Sequence, residues 1–174
     1  MASDMKIEAE SAARLVADAG GEIVGRTKLQ KIAFMLEVMD LGAGFDFEYK
    51  HYGPYSERLT SALKAADLFD LIGEETRSAS WGGFYSIFRS KNFKDKSADE
   101  NRRAAVSLGN ASDPVELELA ATAVLLQREG LKDPWKETEL RKPDKAAGGR
   151  LEKAQILLKK FRELQHGDRI PAIA

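Results

Sequence analysis

The sequence predicts a mainly helical α+β protein, with a winged-helix-like N-terminal module packed against a C-terminal helical subdomain. Three observations carry this expectation. Apolar residues recur at helical spacing over most of the chain, whereas alternating or aromatic strand-like runs are confined to residues 45–50, 71–75 and 84–88. Pro and Gly fall where such elements would start and stop. The resulting order over residues 1–90, helix-helix-strand-helix-strand-turn-strand, is that of a winged-helix module, with the wing tip at 77–83.

Residues 5–19 place Ile7, Ala12, Leu15, Val16 and Ala19 near helical spacing, and Gly20-Gly21 follows as a stop. Thr27 with Gln30 three residues on reads as a capping box, so a second helix is expected from about Lys28. Its two apolar stripes, Leu29, Ile32, Ala33, Leu36 and Met39 beside Phe34, Met35, Val38 and Leu41, put it at the centre of the fold. In residues 45–50, Phe45, Phe47 and Tyr49 alternate with Asp46, Glu48 and Lys50, the pattern of a half-buried strand. The turn His51-Tyr52-Gly53-Pro54-Tyr55-Ser56 then opens a third helix carrying Leu59, Ala62, Leu63, Ala66 and Phe69. Strands near 71–75 and 84–88 flank a turn at 78–83.

Residues 91–112 are polar and are expected to be a connector, with room for a short helix around 98–108. Residues 113–174 form the helical subdomain and share the same core. Asp113-Pro114-Val115-Glu116 supplies an acidic cap, Pro at the first helical position and Glu three residues after the cap. Asp133-Pro134 starts a short helix that Trp135 docks, and Leu151, Ala154, Leu158 and Phe161 form the seam of the last one.

Lys plus Arg number 27 against 28 for Asp plus Glu among 174 residues, which excludes a highly basic nucleic-acid coat. With no cysteine there is no disulfide framework, thiolate nucleophile or Cys-type zinc site, and two histidines do not build a His-rich metal centre. No metal and no cofactor is expected. The opening MASDMKIEAES lacks the basic region and apolar run of a signal peptide, and no run approaches 18 apolar residues, so a cytoplasmic protein without membrane contact is expected. Charge is uneven along the chain. Residues 45–75 hold three basic against seven acidic side chains, and residues 77–103 seven against three. Residues 132–169 hold eleven against seven, so an anionic partner would meet the wing or the C-terminal third rather than the third helix.

His51, Tyr52, Ser56 and Glu57 lie close in sequence, but adjacency at a turn does not supply nucleophile, base and orienting group in register, and no catalytic residue is assigned. His51, Tyr52, Tyr55, Arg58 and Trp81 are instead candidate partner contacts. For Trp81 in its Gly-flanked turn, packing back and serving an interface are both open. Lys28 and Lys31, with Arg26, cluster at a helix start, where an anion site is conceivable and a solvated polar face is the favoured reading. Arg77, Arg89 and Lys91 complete the candidate anion or nucleic-acid contacts.

The run LQKIAFMLE (29–37), the turn HYGPYS (51–56) and the following SERLTSALKAADLFDLIGEE (56–75) resemble the N-terminal module of the YwgA-like bacterial proteins. LELAATAVLLQREG (117–130) and RKP (141–143) fit the same layout. The Leu-Gln-Lys helix followed by a Tyr-Gly-Pro turn is more distantly similar to the Panacea (SocA-like) antitoxin domain. That resemblance implies an antitoxin that neutralises a partner toxin by direct contact, in some cases as an adaptor for proteolysis; the HYGPYS form here is the YwgA-like one. The expectation is a non-enzymatic protein-binding module of a toxin-antitoxin or defence-related system. The alternative is a winged-helix DNA-binding regulator, with nucleic acid as its partner.

Overall fold

The computed structural model describes residues 1–173 and is α+β and mainly helical. Helix α1 (Ala2–Asp18) buries Ala9, Ala12, Ala13, Leu15 and Val16, small residues that let a neighbouring helix approach. Gly20 and Gly21, both at positive φ, turn the chain into a strand absent from the sequence expectation, β1 (Glu22–Val24). With Ile23 its one buried residue, β1 is too short to show alternation.

Helix α2 (Arg26–Val38) is the central helix, with residues 29–36 all buried. Its start departs from expectation. Gly25, at φ 99°, is the N-cap and no side chain caps the helix, so the Thr27–Gln30 capping box does not form. Gln30 is buried and bonds elsewhere. Beyond α2, Glu37 Oε1 accepts the backbone N–H groups of Ala43, Gly44 and Phe45, each at 2.9 Å, which organises that loop around one carboxylate.

The alternating segment at 45–50 is a strand only over β2 (Glu48–Lys50). Phe45 is buried, and Phe47 stacks edge-on against Phe34 at 5.5 Å between centroids, so the expected inward face holds. The partner of β2 is not the wing but β3 (Gly53–Tyr55), inside the expected turn. Ser56 then caps α3 (Glu57–Leu68), its Oγ accepting from Leu59 N at 3.1 Å. β4 (Ile72–Ser78) and β5 (Phe84–Ser90) form the second hairpin, and β1 adds to β5 to give an antiparallel sheet of order β1-β5-β4.

The segment expected to be a polar connector contains a full helix, α4 (Glu100–Ala111), capped by Asp99 and packed on α2. Its polarity hides a buried ion pair: Arg102 Nε donates to Asp18 Oδ2 at 2.8 Å and Nη1 to Leu41 O at 2.8 Å. Helix α5 (Pro114–Arg128) starts as expected, with Asp113 accepting from Val115 N and Glu116 N, and is buried from Leu117 through Leu126. Short helices α6 (Pro134–Arg141) and α7 (Pro143–Ala146) lead to α8 (Arg150–Glu163), which packs on α5 through Ala154, Leu157, Leu158 and Phe161. One hydrophobic cluster runs from α1 to Ile170, so both halves of the chain share a core. Among the described residues no helix is long and apolar enough to cross a membrane.

Candidate functional site

Two side chains of the LQK run hold the HYGPYS hairpin from beneath. The amide of Gln30 acts as a strand would: Nε2 donates to Ser56 O at 3.0 Å and Oε1 accepts from Ser56 N at 2.8 Å. Lys31 Nζ donates to Pro54 O at 2.7 Å. Gly53 sits at φ 84° with its Cα against Thr122 of α5, where a Cβ would overlap the Thr122 hydroxyl oxygen. Pro54, having no N–H, leaves no donor to satisfy inside this contact while its carbonyl serves Lys31.

Lys31 is 1% exposed, which overturns the solvated helix face expected for it. An apolar stretch of helix surrounds it, and a long amine is hidden there because a backbone acceptor meets its tip. Around it lie three more charges from other elements. Glu118 of α5 is buried and accepts Lys142 Nζ at 2.7 Å and Lys145 Nζ at 2.8 Å, the latter on both oxygens. Lys142 also donates to His51 O at 3.0 Å. Burial pushes Lys31 down to about 7; Glu118 opposes the shift, and the Lys142 and Lys145 ammonium groups add to it. Two amines thus share one carboxylate, and the third, on Lys31, feels all three charges without bonding to any of them.

Lys145 and two other cations lie against the hairpin's rings. Lys145 Nζ lies 4.6 Å from the Tyr52 ring centre, Arg141 lies 4.8 Å over Tyr49, and Lys50 lies 4.9 Å over Tyr55. His51 and Tyr52 are exposed at the hairpin tip, while the Tyr55 hydroxyl meets Thr60 Oγ1 at 2.6 Å. Arg58 faces away from the tip, bonding Glu8, Asp46 and Gly44 O. The Ser56 hydroxyl is fully buried in its capping bond and His51 is used through its carbonyl, so no nucleophile and base are brought together here.

The second hairpin presents a different surface. Trp81 and Phe84 at its tip are each 76% exposed, so Trp81 does not pack back into the core. On the outer sheet face, Arg89 bonds Glu22 at 2.8 Å and Glu75 at 2.6 Å, and Arg77 bonds Glu75 at 2.7 Å. Lys91 pairs with Asp70 at 2.9 Å. Arg77, Arg89 and Lys91, the candidate anion contacts of this region, therefore each have a carboxylate partner. Arg26 pairs with Glu74, and Lys28, its charged form disfavoured by partial burial, donates to Asn110 O at 3.0 Å.

Glu118 and Thr122 lie within the LELAATAVLLQREG run and Lys142 within RKP, but nothing in those runs or beside Lys145 marks these residues as parts of a site. Among the described residues no group of three His, Cys, Asp or Glu side chains converges as metal ligands would.

Over 44 residues the chain is 41% identical to a Bacillus subtilis (strain 168) protein described as uncharacterized protein YwgA, a match covering 25% of this chain and 26% of that protein. The chain thus matches about a quarter of the length of this curated relative. No family model matches.

Proposed function

We propose that the chain is a non-enzymatic, cytoplasmic protein-binding module of the antitoxin-like kind, with a winged-helix-like N-terminal half, that holds a protein partner through its hairpin tips. The observation that carries this reading is the pair Trp81 and Phe84, both 76% exposed at one tip. Large aromatic side chains gain from desolvation against a partner and are enriched where binding energy concentrates. The hairpin beneath them is tied by the Glu22–Arg89–Glu75–Arg77 ladder, which lowers the entropy lost on docking. The toxin-antitoxin or defence-related setting rests on the Panacea-like pairing of LQK with YGP. The joint task of Gln30 and Lys31 in holding 53–56 supports treating those two motifs as one unit.

A DNA-binding regulator is the second reading, favoured by the strand order β1-β5-β4 and its position after α3. The pairing of Arg77, Arg89 and Lys91 weighs against it, since each must leave a carboxylate before it neutralises a phosphate. The test is capture of partners by the tagged chain from lysate of its native host, with and without nuclease, using wild type and a Trp81→Ser/Phe84→Ser double variant of unchanged circular dichroism. A protein retained by wild type, lost by the variant and reconstituted as a purified stoichiometric complex supports the proposal. Equal retention by both proteins refutes the hairpin assignment, and retention of defined duplex DNA alone moves the regulator to first place.

A further inference from the structure

We propose that the β2–β3 hairpin is held by a charge-counting latch: while Lys31 is uncharged the hairpin stays seated, and a proton gained by Lys31 loosens the hairpin together with α6 and α7. This inference does not depend on the protein-binding reading. Its basis is the layout of donors. Lys31 from α2 and Lys142 from the junction of α6 and α7 each hold one hairpin carbonyl, Pro54 O at 2.7 Å and His51 O at 3.0 Å. Between them, Glu118 is the single carboxylate, and it is already shared by Lys142 and Lys145.

With Lys31 neutral, two ammonium groups face one carboxylate, and the Lys31 amine still donates to Pro54. With Lys31 charged, three ammonium groups surround it. Burial itself is the largest cost of that third charge, Lys142 and Lys145 repel it and Glu118 attracts it; with Lys31, Lys142 and Glu118 all buried, water does little to offset the cost. The helices α2 and α5 are central to the core and do not yield. The hairpin, by contrast, has only three paired residues per strand, and α7 is one turn long. Strain at the cluster therefore exits through the hairpin and α6–α7, which are joined to it by the very bonds that Lys31 and Lys142 make.

The charged groups acting on Lys31 are Glu118 on α5 and Lys142 and Lys145 beyond α6; Tyr49, His51 and Tyr52 of the hairpin meet Lys142 or Lys145 in turn. His51 carries the one imidazole of this group, so the test removes it. The experiment is amide hydrogen exchange on the full chain between pH 5.5 and 9.5, corrected for intrinsic rates, in wild type, His51→Gln, Lys145→Gln and Lys31→Met. In wild type and His51→Gln, opening at residues 48–55 and 141–146 should rise by up to about tenfold per pH unit as pH falls, levelling off below the Lys31 value of about 7. Lys145→Gln removes one repelling charge and should move the levelling point to higher pH; Lys31→Met should abolish the rise. Amides of β4 and β5 that open by local fluctuation serve as the reference and should not follow it, whereas amides that open only with the whole chain follow the pH dependence of global stability. The proposal is overturned if the rise vanishes in His51→Gln, if all amides follow it equally, or if Lys145→Gln leaves the levelling point unmoved.

Discussion

Replacing Lys31 by Met keeps an unbranched side chain, one atom shorter, and removes its titration, so it isolates what the buried amine does to stability. Lys31 moves from 10.5 in the unfolded chain to about 7 in the folded one. Between those values the unfolded chain binds a proton that the folded chain does not, so wild-type stability rises with pH across that window. Above 10.5 the amine is neutral in both states, and below 7 it is charged in both, so the contribution is flat at each end. The span of 3.5 units corresponds to roughly 5 kcal/mol at 1.36 kcal/mol per unit. Lys31→Met also leaves Pro54 O without its donor, a loss of about 1–3 kcal/mol that does not vary with pH. Urea denaturation followed by circular dichroism at pH 7.5 and 9.5 separates the two. The wild type should gain roughly 2–3 kcal/mol relative to the variant across those two units, whatever the constant offset. A difference between the proteins that is the same at both pH values would show that Lys31 is not driven neutral by burial and would remove the electrostatic account of the cluster.

Gly53→Ala should destabilise by roughly 2–5 kcal/mol, from a side chain at positive φ and its overlap with Thr122. Adding Thr122→Ala should recover the overlap and leave about 1–2 kcal/mol of backbone cost, read as a double-mutant cycle in urea. Thr122→Ala alone should be mild, because the Thr122 hydroxyl is buried with no hydrogen-bond partner. Arg102→Met should cost roughly 3–5 kcal/mol by leaving the Asp18 carboxylate buried and unpaired, measured by the same denaturation. Trp81→Ser, at an exposed tip, should change stability by no more than about 0.5 kcal/mol while weakening capture of a protein partner.

What could be read in the sequence was what local periodicity encodes. The central helix, the third helix after the HYGPYS turn, the Asp113 and Asp133 starts and the second hairpin follow from spacing and cap chemistry, and each occurs in the structure, whereas the Ser56 cap itself is a finding of the structure. The misreadings arose where a side chain's partner is distant along the chain. Gln30 has the spacing of a capping residue, but Ser56 offers its amide two buried bonds instead of one exposed one. Residues 100–111 look solvated because Arg102 is charged, yet its guanidinium is buried against Asp18, 84 positions away. Lys31 is the sharpest case. At a helix start among Arg26 and Lys28 it has the composition of a polar face, and only the Pro54 carbonyl, brought in by the hairpin, makes its burial possible.

These placements bear on what the motif resemblance means. Gln30, Lys31, Gly53, Pro54 and Ser56 are all buried, and each acts on another member of the set or on α5. Residues with such roles are constrained by packing, and a chain that keeps them keeps the seat of the hairpin. They do not touch solvent and therefore do not select a partner. In the proposed protein-binding reading, selection falls to His51, Tyr52, Trp81 and Phe84, which stand exposed at the two tips and are free to vary without disturbing the seat. Two proteins sharing LQK and YGP would then share a scaffold and differ in what they hold. Exchanging residues 79–84 between this chain and a relative of known partner should transfer binding and leave stability within about 0.5 kcal/mol. Transfer that instead required residues 30, 31 and 53–56 would show that the buried unit reads the partner after all.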